Sequence, residues 1–223
     1  MKVNWEDYQV YFWKKYLYLE EKVMETEKFV TFCRSNKYIF SNIFEELLVV
    51  ICTEIEIVFK EWLQIDKGSI VYFLTKLLNE ISVEELNKIV IVKLCNIGLM
   101  PFNDLSYLVS VNMNKNDKLK GFDASKHLRW WKAYNNIKHN KLKYKEQANL
   151  ENVLNALAAL FILESLRIKN MYNADSNDEF DCPYKPSQLF DSNIETKRYI
   201  DNAGNSPIPD EEIRELFLWL SNN

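Results

Sequence analysis

The sequence predicts a mostly α-helical domain, on three observations. The 223 residues are 48% hydrophobic and include 13 Phe, 12 Tyr and 6 Trp, ample material for one enclosed core. Only 4 Gly and 5 Pro are present, whereas sheets joined by tight turns need more of both. The apolar residues recur at the spacing of a helix face over long stretches. The expected fold class is all-α: a helical bundle over residues 1–172 with its core at 41–172, an irregular C-terminal extension over 173–223, and at most one short β element.

Residues 5–24 set Trp5, Tyr8, Phe12, Tyr16, Leu19 and Val23 at roughly helical spacing, with a break expected near Thr26 and a short helix through Phe32. Residues 42–63 carry the strongest pattern. Asn42 with Glu45 fits a capping box, Leu47, Ile51, Ile55, Val58 and Trp62 form one stripe, and apolar residues spread beyond it. This helix is therefore expected to be central, ending at Asp66-Lys67-Gly68. Another helix is read over 70–78, and Ser82 with Glu85 gives a second capping box. The β-branched run Lys88–Leu94 is ambiguous and admits a short strand. Pro101 and Asn112–Lys120 mark loops. A helix is expected from Ser125 to His139, capped by Asp123 or Ser125, and a second over 146–172, whose Ala148, Ala156, Ala158 and Ala159 let another helix approach closely. The polar tail holds Pro183, Pro186, Pro207 and Pro209 and is read as an irregular wrap, with Asp210 capping a last short helix.

The charge distribution is uneven. Residues 124–145 hold Lys126, Arg129, Lys132, Lys138, Lys141, Lys143 and Lys145 and no acid, so the segment carries +7 and leaves −11 for the rest of a chain whose total is −4. A local basic patch on an acidic body is suited to phosphates, and the same pattern also describes a solvated helix face. Cys33, Cys52, Cys95 and Cys182 are scattered without CxxC or Cys/His spacing, and with His127 and His139 the only histidines no metal site is expected. Reduced thiols fit a cytoplasmic protein. Residues 1–7 do not read as a signal peptide, and the most apolar run, Leu47–Cys52, is stopped by acids on both sides, so no membrane span is expected.

The segment able to carry chemistry is Arg129–His139. At about 100° per residue, Trp130, Ala133, Tyr134 and Ile137 share one side, while Arg129, Lys132, Asn135, Asn136 and His139 share the other. Such a helix buries aromatics and presents a cation, two carboxamides and an imidazole together. An imidazole can take a proton from a ribose 2′-OH or give one to a leaving oxygen, and a nearby cation can stabilise phosphorane-like charge. That chemistry requires no metal and no cofactor. A histidine among lysines is also a common surface arrangement. Glu54 falls inside the apolar stripe of its helix and needs a partner, for which Lys138, Lys132 and His139 are the candidates. It is either a structural ion pair or the group that sets His139.

The segment Trp130-Trp131-Lys132-Ala133-Tyr134-Asn135-Asn136-Ile137-Lys138-His139-Asn140-Lys141, with Glu54-Ile55-Glu56 and Lys60 before it and the alanine-rich Ala148–Phe161 after it, resembles the HEPN superfamily over about residues 41–172. The resemblance implies a four- or five-helix bundle, homodimerisation, and in active members metal-independent RNA cleavage by an Arg followed after four to six residues by a His. His139 matches the His and Asn135 the polar position after the Arg. The three positions open to the Arg hold Tyr134, Ala133 and Lys132, and Arg129 stands a turn too early. What the resemblance implies is an endoribonuclease or RNA-binding protein of a bacterial defence or toxin–antitoxin setting. In that reading His139, Lys132 and Asn135 form the catalytic group, Arg129, Asn136, Lys138, Lys141 and Lys143 bind RNA, and Glu54, Tyr134 and Trp131 support them. Its partners are a second copy, RNA, or a protein such as an antitoxin. The alternative is a non-catalytic HEPN-like module that binds protein or nucleotide. P-loop, GxGxxG, GxSxG and HExxH patterns are absent.

Overall fold

The structure, a computed structural model, describes residues 3–103, 105, 122–174 and 185–192. The expected loop at Asn112–Lys120, the helix after Asp210, and Cys182, Pro183, Pro207 and Pro209 lie outside the described residues. Within them the fold is mainly helical, as read from the sequence, with a small three-stranded sheet.

The N-terminal helix forms without interruption from three pieces: α1 (Trp5–Tyr8), a π-helical turn (Gln9–Trp13) and α2 (Lys14–Glu25). Asn4 caps it by accepting from the Asp7 N–H at 2.8 Å. The wider π turn suits a stripe spaced by four rather than 3.6 residues. It keeps Tyr8, Phe12 and Tyr16 on one buried face, with the Tyr8 and Phe12 rings stacked at 4.9 Å.

Helix α3 (Asn42–Leu63) is capped one residue earlier than the sequence suggested. Ser41 is extended and its Oγ accepts from the Phe44 N–H at 3.2 Å. Glu45, expected in a box with Asn42, is drawn instead to Lys141 at 2.8 Å. The helix stops at Gln64, which sits in the left-handed region at φ 54°. The stripe from Leu47 to Trp62 is buried as read, but Ile43, Val50 and Ile57 are exposed. The most enclosed helix is therefore not α3. Helix α4 (Ile70–Leu77) is capped by Ser69, and α5 (Val83–Leu86) by the expected reciprocal Ser82–Glu85 box.

The short strand allowed at Lys88–Leu94 is present as β1 (Val90–Val92), and it is the centre of a sheet. On one edge it pairs antiparallel with β2 (Ile97–Leu99), Val90 opposite Leu99, through a turn in which Asn96 takes φ 52°. On the other edge it pairs with β3 (Phe190–Ser192), Val92 opposite Phe190. The C-terminal segment is thus not wholly irregular: residues 185–192 are built into the body. Glu20 on α2 anchors them. Its buried carboxylate accepts from the Tyr16 hydroxyl (2.6 Å), the Ser187 hydroxyl, and the N–H groups of Gln188 (2.9 Å) and Leu189 (3.1 Å). The Trp13 indole donates to the Lys185 carbonyl at 2.8 Å.

The single helix expected from Ser125 is two. Asp123 caps α6 (Ala124–His127), and Leu128, at φ −107° and ψ 79°, breaks the chain as its side chain enters the core. Helix α7 (Arg129–Tyr144) follows, itself interrupted at Asn140 (φ −153°, ψ 77°). A 3₁₀ turn at Lys145–Gln147 leads to α8 (Leu150–Ala174), which starts later than residue 146 because Asn149 caps it, accepting from the Asn152 N–H at 3.0 Å. From Val153 to Ile168 every residue of α8 except Asn155 is buried.

Glu20→Ala removes the acceptor of four donors; the Tyr16 hydroxyl keeps Ser187 Oγ and Gln188 is exposed, so the cost falls on the Ser187 hydroxyl and the Leu189 N–H, at about 1–3 kcal/mol for each buried orphan. The variant is expected to lose about 3 kcal/mol or more in urea unfolding, and limited proteolysis to cut first within residues 185–192.

Candidate functional site

Helix α7 divides into two faces along its length. Trp130, Trp131, Ala133, Tyr134 and Ile137 are buried. The Trp130 indole donates to the Pro101 carbonyl at 3.0 Å, and its ring meets Phe102 edge-on at 6.0 Å. Trp131 lies against both Trp130 (5.7 Å) and Tyr134 (5.0 Å). These aromatics clamp the helix in place, so the backbone positions opposite them are fixed.

On the outer side Arg129, Lys132, Lys138 and His139 are exposed, and Asn135 and Asn136 are half-buried. Asn135 Nδ2 donates to the Trp131 carbonyl one turn back at 3.0 Å. Asn136 Nδ2 donates to Gln147 Oε1 at 2.9 Å, which ties α7 to the turn before α8. His139 is the last residue before the break at Asn140. Lys138 is not an outward cation alone: its Nζ donates to the Tyr134 hydroxyl at 3.1 Å and lies 5.2 Å from the ring centroid. That bond, with Coulomb attraction to Tyr134 and Glu56, holds the ammonium above its usual range. Past the break, Lys141 pairs with Glu45 and Lys143 lies 5.1 Å from the Tyr144 ring, while Leu142 points outward at 86% exposure. Lys126 pairs with Asp123 at 3.8 Å. Among the described residues Arg129, Lys132, Lys143 and Lys145 form no ion pair.

Glu54 is buried, as its place in the stripe required, but its neighbours differ from those expected. Burial raises its carboxyl above the usual range, and the cation that opposes this is Lys15 of α2, not Lys138, Lys132 or His139. The acid that Lys138 feels is Glu56. Helical phase placed Glu54 correctly on the inner side, but the cation that acts on it, Lys15, was set by α2 packing against α3.

Sequence reasoning missed the most deeply buried acid, Glu164 of α8, at 0% exposure. Its Oε2 accepts from the Tyr8 hydroxyl at 2.5 Å, and its Oε1 has no hydrogen-bond partner among the described residues. Burial, with repulsion from Glu54 and Glu61, outweighs the Tyr8 bond and Arg167 and pushes its carboxyl to about 8. It is held as the neutral acid near pH 7. Next to it Arg167 donates to both oxygens of Glu61, at 2.8 and 3.1 Å, over the face of Trp62. The one sequence signal for Glu164 was a carboxylate inside an otherwise apolar run.

Among the described residues no group of three or more His, Cys, Asp or Glu is arranged to hold a metal, and no helix is long and apolar enough to cross a membrane. Cys33, Cys52 and Cys95 are free thiols. Comparison with family models, with curated proteins and with solved structures finds no match to this chain.

The buried Glu164 makes stability depend on pH with a defined sign. The unfolded chain releases this proton near pH 4.5, the folded chain only near 8. The contribution is therefore full below about 4.5 and is lost as pH rises towards 8. Wild-type urea midpoints are expected to fall between pH 5 and 8, and Glu164→Gln to flatten that fall; an unchanged slope in the variant refutes the assignment.

Proposed function

We propose that this chain is a HEPN-like protein that binds RNA along the exposed side of α7 and cleaves it without a metal, with His139 as the proton-transfer group. The observation that carries this reading is the row of cations with no ion-pair partner among the described residues, set on a helix whose other face is locked in the core. Among the described residues no carboxylate pairs with Arg129, Lys132, Lys143 or Lys145 and would have to be displaced by a phosphate, so binding gains the counterion release. His139 is exposed and makes no side-chain hydrogen bond to a described residue, which leaves both ring nitrogens open to a ribose hydroxyl or a leaving oxygen.

The roles divide by distance. Asn135 is one turn from His139, and with Nδ2 committed to Trp131 its Oδ1 remains to orient a ribose or base. Lys132 is two turns away, about 10 Å along the axis, and suits a phosphate beside the scissile one. Trp131 and Tyr134 support from beneath. Glu54, facing Lys15, has no part in setting His139 in this reading. A second copy of the chain, which the HEPN resemblance implies, brings two His139 side chains to one cleft, and a defence or toxin–antitoxin setting adds a protein partner such as an antitoxin.

A non-catalytic binding module remains the second reading. It is favoured by Arg129 standing a turn before the family's Arg positions and by Val10, Tyr11 and Tyr18 lying exposed on the N-terminal helix.

Purified protein in EDTA with an end-labelled RNA separates the two. His139→Ala is expected to lower cleavage by at least about 100-fold, the lower bound for a general acid or base, with stability within about 0.5 kcal/mol of wild type because the residue is exposed. Cleavage undiminished in the variant ends the catalytic reading. Arg129→Gln with Lys132→Gln is expected to weaken RNA binding for every sequence and to make the log affinity–log salt slope shallower by about 0.7 per lost phosphate contact.

A further inference from the structure

The first turns of the N-terminal helix close on the most deeply enclosed acid of the bundle. Of α1, Tyr8 is the buried residue, while Glu6 and Asp7 are exposed and Trp5 is half-buried. The Tyr8 hydroxyl donates to Glu164 Oε2 at 2.5 Å, and its ring stacks on Phe12. The π turn Gln9–Trp13 starts at the next residue. From that turn onward Phe12, Trp13 and Tyr16 are buried and hold the rest of the helix. Helices bend sharply at such turns. The four residues of α1 are too few to stay helical without their contact to the body.

The charges around that contact make it conditional. The titratable and charged groups facing Glu164 are Tyr8 of α1, Glu54 and Glu61 of α3, and Arg167 of α8 itself. Arg167 is committed: Nε and Nη2 donate to the two oxygens of Glu61, and Nη1 donates to Asn170. Lys15 of α2 is the cation that acts on Glu54. Three carboxyls thus share two cations, and the one left over is Glu164, with Oε1 buried and without a hydrogen-bond partner among the described residues. The closed arrangement suits a neutral acid. An ionised carboxylate there has one phenol to solvate it and two acids beside it, whereas water reaches it once Tyr8 moves aside.

We infer that Tyr8 and Glu164 form a proton-held latch: while the acid keeps its proton the first helix lies closed, and loss of that proton lets residues 3–8 swing out on the π turn. The opening is local. It leaves α3 and α8 packed, and so differs from the loss of overall stability that the same acid causes.

The test is hydrogen exchange read by mass spectrometry between pH 5 and 9, each rate corrected for the exchange of an unstructured peptide at that pH. Peptides covering residues 3–13 are compared with peptides from the interior of α8. The N-terminal amides are expected to open at least about ten-fold more often than those of α8 at every pH. The closed acid releases its proton near 8 and the solvated acid near 4.5, so opening is favoured as pH rises. Opening is therefore expected to increase at least about ten-fold from pH 5 to 8 and to level off above that. Glu164→Gln, neutral throughout, is expected to abolish the increase and keep the N-terminal amides protected at pH 9. Exchange of N-terminal and α8 amides in step overturns the inference, as does an increase that survives in Glu164→Gln, or none in wild type. Should Glu164→Gln fail to fold, Tyr8→Phe decides. Without the hydroxyl bond, N-terminal opening at pH 6 is expected to rise about five-fold, and opening equal to wild type overturns the inference.

Discussion

Helix α8 is surrounded by protein through four turns, and the remaining elements are arranged to surround it. Helix α3 lies along it in the same direction, fastened near one end by Ser41 to Ala148 and near the other by Glu61 to Arg167. Helix α2 crosses at Phe161, where Trp13, Tyr16 and, from the sheet, Phe190 gather around one ring. Ala156, Ala158 and Ala159, all fully buried, keep the helix narrow enough for its neighbours to approach closely. A helix closed off from water cannot leave its polar groups to solvent. Glu164 and Arg167 must be satisfied by protein, and they draw Tyr8, Glu61 and Asn170 to them. The end of α1 and the end of α3 are pinned by this requirement as much as by apolar packing.

The same enclosure gives α7 its two characters. Its aromatic side supplies part of the wall, which commits Trp130, Trp131 and Tyr134 to the interior and leaves nothing apolar to bury opposite them. Asp123 pairs with Lys126 just before the helix, Glu56 attracts Lys138 and Glu45 pairs with Lys141, while Arg129 and Lys132 form no ion pair among the described residues. The interruptions at Leu128 and Asn140 bound the regular part at eleven residues, Arg129 to His139, and past the second Lys141 reaches Glu45 in the first turn of α3.

Legibility followed the range of the interactions. The stripe of α3, the Ser82–Glu85 box, the strand at Val90–Val92 and the inner and outer sides of α7 each depend on residues within a few positions of one another, and each was readable. The π turn after Tyr8 and the breaks at Leu128 and Asn140 were not, because each accommodates a side chain or a chain direction that distant packing demands. Nor were the strand partners of β1: a β-branched run signals a strand, but its neighbour at Phe190–Ser192 lies about a hundred residues away and is brought there by the carboxylate of Glu20.

Helical periodicity, being local, settled that the chain is mainly helical, that Glu54 points inward and that His139 and the basic residues around it point outward. It had no means of choosing which of two apolar helices would be enclosed, and the alanines that made α8 the narrower one acted only through the neighbours they admitted. The same limit applied to charge. That Glu54 needed a partner followed from its phase on α3, but the partner was Lys15 because the energy of a buried charge is set by whatever packs within a few ångströms in space, whatever its place along the chain.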